Sequence, residues 1–270
     1  MNLKYNLNDK NSLRLGASKT YTLPQAKEIS PYRYVGVNFN SQGNPNLKPS
    51  DHYNLDLKWD FNPTPTELIS LTAFYKLIKN PISRIEVASA GGYLSYENIA
   101  DKATVAGVEV EIRKNLFVRP VSNAAHGMNK LSLGLNGSYI YTNAKMPLAT
   151  VTTGSQLEGA APWIVNFDLS HNFTKGERSF VNTLVLNYVS DKIYTIGTQG
   201  YQDIMEQGVL TLDFVSQAKL NKHLSLNLKA RNLLNPSYKL SRKANENGEK
   251  VILNDYKKGI NISLGVSCTF

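Results

Sequence analysis

The side chains from which a catalytic or metal centre could be assembled are few in this 270-residue chain. Its four histidines, His52, His126, His171 and His223, fall on separate stretches, without the close spacing that metal ligation needs. The single cysteine, Cys268, supports neither a disulfide framework nor a multi-cysteine zinc site. No G-x-S-x-G nucleophile elbow and no phosphate-cradling glycine loop occur, and Gly91-Gly92 reads as a flexible loop. Glu109 and Glu111 project to one side of an extended chain and could share general acid–base work. Carboxylates so placed are far more commonly solvated. No enzymatic activity, metal or cofactor is therefore expected.

Charge points the same way. Lys and Arg number 30 against 21 Asp and Glu, for a net charge of +9. The cations are spread along the chain and not concentrated on one element, which argues against nucleic-acid binding. The densest basic stretch is Lys239, Arg242, Lys243 and Lys250, read as a solvated loop or as a contact for lipid phosphates. No apolar run reaches the ~18 residues of a membrane helix. Met1 to Lys10 lacks the apolar stretch of a signal peptide.

The elements that must position these groups are strands. From Ile260 to Phe270 apolar residues alternate with Asn261, Ser263, Gly265, Ser267 and Thr269. Tyr53, Leu55, Leu57, Trp59 and Phe61 alternate with polar residues in the same way. The pattern returns at 108–113, 131–141, 163–170 and 224–231, and more weakly at 1–7, 12–20, 66–78, 179–190 and 208–220. Period two over such lengths is the mark of a strand with two unlike faces. The reading is all-β, with about 11 strands, many of about 10–12 residues. That length suits a tilted strand crossing a bilayer, which takes roughly 9–11 residues.

Connections supply an independent argument. Links near 8–11, 62–65, 174–178 and 221–223 are short, and those near 21–50, 79–104, 144–161, 191–208 and 233–258 are long. The two kinds alternate, except that 116–128 stands where a short one is expected. Membrane barrels sort their loops by end in this way. Aromatics gather toward strand ends (Trp59, Phe61, Tyr139, Tyr141, Trp163, Phe173, Tyr188), as interfacial girdles do. The face opposite the apolar one carries Asp56, Lys58, Glu109, Glu111, Arg113, Asp168, Lys229 and Arg231, which are expected to face a lumen. The competing reading is a soluble β-sandwich whose core is the apolar face. Eleven strands are an awkward number for one barrel, because bacterial single-chain barrels are even-numbered. The chain is therefore expected to be part of a larger one.

Four stretches resemble the TonB-dependent outer-membrane receptors, particularly those of Bacteroidetes type. Gly43-Asn44-Pro45-Asn46-Leu47-Lys48-Pro49 is similar to a "GNPNLKPE" segment closing a long external loop, with Ser50 in place of the acidic residue. Leu23-Pro24-Gln25 and Glu28-Ile29-Ser30-Pro31-Tyr32, ahead of it, resemble "RPxFxELxPF" without the Arg. Tyr96-Glu97-Asn98 followed by Gly107-Val108-Glu109-Val110-Glu111 is similar to "YxN…GxELE". Ala230-Arg231-Asn232-Leu233-Leu234-Asn235-Pro236-Ser237-Tyr238 is similar to the "V-x-NLF-x-x-x-Y" motif of a penultimate strand. The terminal Phe270 looks like the signal for insertion into the outer membrane.

The resemblance implies a transmembrane antiparallel β-barrel of 22 strands, of which residues 1–270 are the C-terminal part, with signal peptide, TonB box and plug outside the chain. It implies a bacterial outer-membrane receptor taking up a scarce nutrient (an iron chelate, cobalamin, peptide or glycan), energised by the TonB complex through the plug. Lipid, lipopolysaccharide and the nutrient are the further partners, and lumen cations such as Arg113, Lys229 and Arg231 would contact the plug. Tyr32, Arg33, Tyr34, Tyr93, Tyr96, Tyr194 and Tyr201 lie in long loops, where rings and cations can stack on or pair with a ligand. The alternative functional classes are a passive porin-like or adhesin-like barrel and the soluble sandwich.

Overall fold

The computed structural model describes residues 1–89, 92–121, 127–146, 156–244 and 248–269. β1 (Asn2–Asn6) turns into β2 (Asn11–Thr22), and the long loop after it holds one helical turn, α1 (Ala26–Ile29), with β3 (Arg33–Tyr34) and β4 (Ser41–Gln42). β5 (Ser50–Phe61) and β6 (Leu68–Lys79) form the next hairpin, followed by a loop bearing β7 (Ile82–Val87) and β8 (Tyr93–Asn98). Next come β9 (Lys102–Pro120), β10 (Met128–Ala144), β11 (Trp163–Lys175) and β12 (Arg178–Val189), then β13 (Lys192–Thr195) and β14 (Ile204–Glu206) in a further loop. β15 (Val209–Lys219) and β16 (Leu224–Arg231) lead to β17 (Ser237–Lys243) and β18 (Lys250–Lys257), and β19 (Asn261–Cys268) closes the series.

Eleven of these strands make one antiparallel sheet in the order β1-β2-β5-β6-β9-β10-β11-β12-β15-β16-β19, and they are the eleven that alternation marks in the sequence. The apparent exception at 116–128 disappears. β9 runs on through Pro120 and absorbs its irregularity as a register shift at Leu131/Ser132, leaving only 121–127 as a link. Every short connection now lies at one end of the sheet and every long one at the other. Thr269 donates its N–H to the His223 carbonyl at 2.9 Å, so the last strand finishes beside a short turn, as its parity requires. β1 and β19 each pair on one side only, so the described sheet is an open wall and not a closed barrel.

The two faces meet different surroundings. Cross-strand register aligns Leu13, Trp59, Leu71, Val110, Gly137, Val165, Tyr188 and Leu210 in one row of the apolar face. The neighbouring row on the other face is Ser12, Asp60, Ser70, Glu111, Asn136, Asn166, Asn187 and Thr211. Asp60 is 5% exposed and Ser70 2%, whereas Leu57 is 50% exposed and Leu264 72%. Among the described residues nothing packs on the greasy side. A soluble protein would not leave so broad an apolar surface bare, so the sandwich reading falls. Aromatic pairs mark both rims: Tyr139–Trp163 (ring centroids 4.6 Å apart) at the long-loop end, Trp59–Phe61 and Phe173–Phe180 (each 6.3 Å) at the short-turn end.

The long loops depart from expectation. They hold two four-stranded sheets, β3-β4-β8-β7 and β13-β14-β17-β18, bridged by Ile85 and Ile196 into one canopy over the end of the wall. The packed core lies here, with Ile85, Ile99, Ala103, Ala144, Leu157, Ile193 and Ile196 all buried. The canopy strands run two to eight residues, and several are too short for period two to stand out in the sequence.

Candidate functional site

Alternation in two short strands builds the centre of the canopy. In β7, Ser83 and Ile85 turn into the core, which leaves Arg84 and Glu86 on the other face. In β13, Ile193 and Thr195 are buried and Tyr194 is left on the face that Arg84 shares. Backbone bonds join the two segments: Ile196 N–H to Arg84 O and Glu86 N–H to Ile196 O, both 3.0 Å. Arg84 then gathers three loops. Its guanidinium lies 3.9 Å from the Tyr194 ring centroid and donates to the Tyr194 carbonyl at 2.6 and 3.1 Å. It also donates to Glu158 Oε1 at 3.0 Å, and the Arg84 N–H donates to Glu158 Oε2. Burial pushes the Glu158 carboxyl above the ordinary carboxylate range, against the pull of Arg84. Arg242 pairs with Glu86 and ties in the last long loop.

Beside this junction opens a cavity of about 550 Å³. Its wall includes Lys27, Phe39, Arg84, Tyr96, Tyr194, Tyr238, Lys239 and Tyr256. Tyr238 and Tyr256 face each other across β17–β18, stacked 5.5 Å apart with Lys258 3.8 Å from the Tyr238 ring centroid. Burial raises the Tyr96 phenol, so the ring stays a neutral donor. Ring faces, hydroxyl donors and cations converge on one pocket, and Lys192 neutralises the Glu206 carboxylate in its wall at 3.3 Å, so the pocket can hold an anionic ligand bearing planar groups.

Of the seven loop residues singled out from sequence, Tyr96 and Tyr194 line this cavity. The other five lie elsewhere: Tyr32 points to solvent, Arg33 covers Tyr93 at 5.4 Å, Tyr34 lies under Lys27, and Tyr201 lies under Arg242 at 5.3 Å. Sequence reasoning missed Arg84, Tyr238 and Tyr256. The usable signal was Ser237–Lys243 and Lys250–Lys257 flanking a polar turn, which is a hairpin. In the basic stretch of that loop, Lys239, Arg242 and Lys250 pair with Asp255, Glu86 and Asp191, so Lys243 alone of the four forms no described ion pair.

The eight residues assigned to a lumen all fall on the polar face of the wall. Glu111 accepts from Arg113 at 2.8 Å, and Lys58 approaches Asp60 at 3.4 Å. Asp56 lies against Gly16, and Asp168 folds over Gly134, where a Cβ would come within 2.1 Å of its Oδ1. Glu109 stands opposite Thr72, and Lys229 and Arg231 stand opposite Ser263 and Asn261. The three described histidines make single contacts apart from one another: His52 meets Thr22, His171 meets Asn129 and His223 meets the Thr269 carbonyl. Among the described residues no group of three or more His, Cys, Asp or Glu could hold a metal. His126 and Phe270 lie outside the described residues.

The sequence motifs also acquire a physical purpose. Asn44 Nδ2 donates to the Tyr96 carbonyl, and Asn98 exchanges two bonds with the Lys48 backbone, so the first and third motifs clasp each other. Gly43 is not in the left-handed region, contrary to the usual reason for a turn glycine. A Cβ there would sit 2.4 Å from the Ser30 carbonyl, so close backbone approach to the end of α1 requires it. Asn232, at φ 58°, donates from Nδ2 to the Gly259 carbonyl at 2.7 Å as the chain leaves β16.

A family model for the TonB-dependent receptor-like β-barrel matches residues 1–233. The chain belongs to that family. An iron-regulated outer membrane virulence protein of Vibrio cholerae is 25% identical over 219 residues, covering 77% of this chain and 31% of its own length. The ferric enterobactin receptor of Pseudomonas aeruginosa, in complex with enterobactin, superposes with a TM-score of 0.62 at 17% identity, covering all of this chain and 40% of that one. A copper transporter gives 0.65 at 14% identity with the same coverage. The chain thus spans about a third of the curated relatives it matches. The eleven-strand wall is outer-membrane β-barrel wall, and its bare apolar face is the membrane-facing one.

Proposed function

We propose that this chain supplies the C-terminal part of the barrel and much of the ligand-gathering canopy of an outer-membrane receptor that takes up a scarce nutrient by TonB-coupled active transport. The observation that carries the reading is the canopy cavity, in which Arg84, Lys27 and Lys239 stand among Tyr96, Tyr194, Tyr238 and Tyr256. Its cations and ring faces suit a compact, anionic, ring-bearing metal chelate better than a neutral glycan. The receptors for iron chelates among its structural neighbours support the same class. The polar face of the wall, with Glu111, Arg113, Asp168, Lys229 and Arg231, would meet a plug supplied elsewhere in the receptor. The part played by the chain is capture and passage, not catalysis.

The test is uptake of radiolabelled ferric chelates by cells whose only such receptor carries this chain, with and without TonB. Energised accumulation that drops at least about tenfold in Tyr256→Ala and Arg84→Ala, at unchanged receptor level, is the expected result. A truncated aromatic or a lost charge-assisted contact removes about 1.5–3 kcal/mol of binding. Uptake indifferent to TonB would make the barrel a passive pore and end the proposal.

A further inference from the structure

The membrane-facing side of the described wall is apolar over most of its rows; Lys114, opposite Leu133, interrupts it in β9, and a cluster of polar groups interrupts it in the next strands. One cross-strand row reads Leu131–His171–Asn182–Ser216–Leu228–Leu264, with three adjacent strands contributing polar side chains. The row on its long-loop side, Leu133–Leu169–Leu184–Phe214, is apolar. On its short-turn side, Phe173–Phe180–Ala218 is apolar as well, and Asn129 stands beside Phe173 at the edge. The notch is therefore enclosed by greasy side chains above and below.

Its polar groups satisfy each other only in part. His171 Nε2 and Asn129 Oδ1 are 2.9 Å apart, and Ser216 Oγ donates to Asn182 Oδ1 at 2.7 Å. The Nδ2 groups of Asn129 and Asn182 find no acceptor among the described residues. Free amide donors facing hydrocarbon are costly, and a membrane wall keeps them only where something accepts from them. Arg119 stands opposite Asn129 in register, exposed, 5.6 Å from the Phe117 ring centroid and without a described ion-pair partner. His171 is four residues from the end of β11 at Lys175. That is about 13 Å along the strand and, with barrel tilt, roughly 10 Å in depth, which is where hydrocarbon gives way to headgroups.

We infer that this notch binds the headgroup region of an anionic phospholipid. The phosphate meets Arg119, and the glycerol ester carbonyls accept from Asn129 and Asn182. A surplus of donors beside an unpaired cation asks for an acceptor-rich anion, and a phospholipid at the short-turn rim presents phosphate and ester oxygens at these two depths. The inference rests on the apolar face meeting lipid and is independent of the ligand taken up in the canopy.

The experiment uses the full-length receptor containing this chain, delipidated in mild detergent and titrated with phosphatidylglycerol or phosphatidylcholine while native mass spectrometry counts bound lipid. Wild type is expected to hold one phosphatidylglycerol and to prefer it over phosphatidylcholine. R119Q should erase that preference, a loss of about tenfold in phosphatidylglycerol affinity. N129L/N182L should weaken both lipids, and inorganic phosphate should displace neither. The variants leave this face no more charged than before, and heat-modifiable gel migration reports that they fold. Wild type without the adduct or the preference overturns the inference whatever the variants do. So does undiminished binding in both folded variants, displacement by inorganic phosphate, or a photo-crosslinker at position 182 that captures a protein in place of lipid. Failure of ligand uptake in these variants would not bear on it.

Discussion

Replacing Leu264 by Arg separates the membrane reading from every aqueous one by its energy alone. Leu264 is 72% exposed, faces Leu228 across β16–β19 and lies between Ile262 and Val266 along its own strand. Its side chain stands on the face that meets lipid, not on a packed protein interior, so the substitution forfeits little packing. Exchanging one exposed side chain for another in water moves stability by only about 0.5 kcal/mol in either direction. A guanidinium placed on the lipid-facing side instead costs more than about 1 kcal/mol, rising to about 2–4 kcal/mol at mid-membrane. Ser263, one residue earlier, faces Lys229 on the polar side. An Arg there meets water and one like charge, at a cost of about 1 kcal/mol or less. The assay is urea-dependent folding of the full-length receptor into lipid bilayers, comparing Leu264→Arg with Ser263→Arg. Equal costs, or a Leu264→Arg variant within about 0.5 kcal/mol of wild type, would refute the assignment of faces.

Further outcomes follow from close contacts in the wall and canopy. At Gly107 a Cβ would come 2.4 Å from both the Phe74 ring and the Tyr139 carbonyl, so Gly107→Ala should cost about 1–3 kcal/mol in the same folding assay. Gly134→Ala should cost less, because the atom in its way is the end of the Asp168 side chain, which can swing aside. Arg84→Ala removes a part-buried ion pair, two bonds to Tyr194 O and a ring contact, and should speed amide exchange across β7 and β13 by at least about tenfold, from about 1.5–3 kcal/mol of lost contacts. Glu158 takes up its proton more readily folded than unfolded, so its contribution to canopy stability is full below the ordinary Glu pKa and is lost as pH rises through the elevated folded value. Glu158→Gln should flatten that fall, read as pH-dependent exchange of β7, and an unchanged slope would assign it to another group.

What the sequence disclosed was set by the length over which one physical constraint acts. A strand that separates lipid from water must alternate for its whole span, and ten or more residues of alternation, as at 53–61 or 260–270, survive any local irregularity. The bulge in β9 shows the limit. A one-residue shift near Leu116 exchanges the two faces beyond it, so the alternation from Leu116 to Pro120 falls out of phase and reads as a break. In the canopy the constraint is tertiary. Arg84 faces the cavity because Ser83 and Ile85 must be buried against Ile193 and Ile196, and that requirement exists only once distant loops meet. Tyr96 could be singled out because it sits in a motif, and the motif exists because Asn44 and Asn98 fasten two loops together. Tyr256 has no such local mark, and its place follows from pairing with Tyr238 alone. A cavity assembled from loop edges is in this sense a property of the assembled canopy. Substitutions that loosen the clasp, such as Asn98→Ala, should therefore depress ligand affinity without touching the pocket, and a fall in uptake matched by faster exchange at Lys48 would show it.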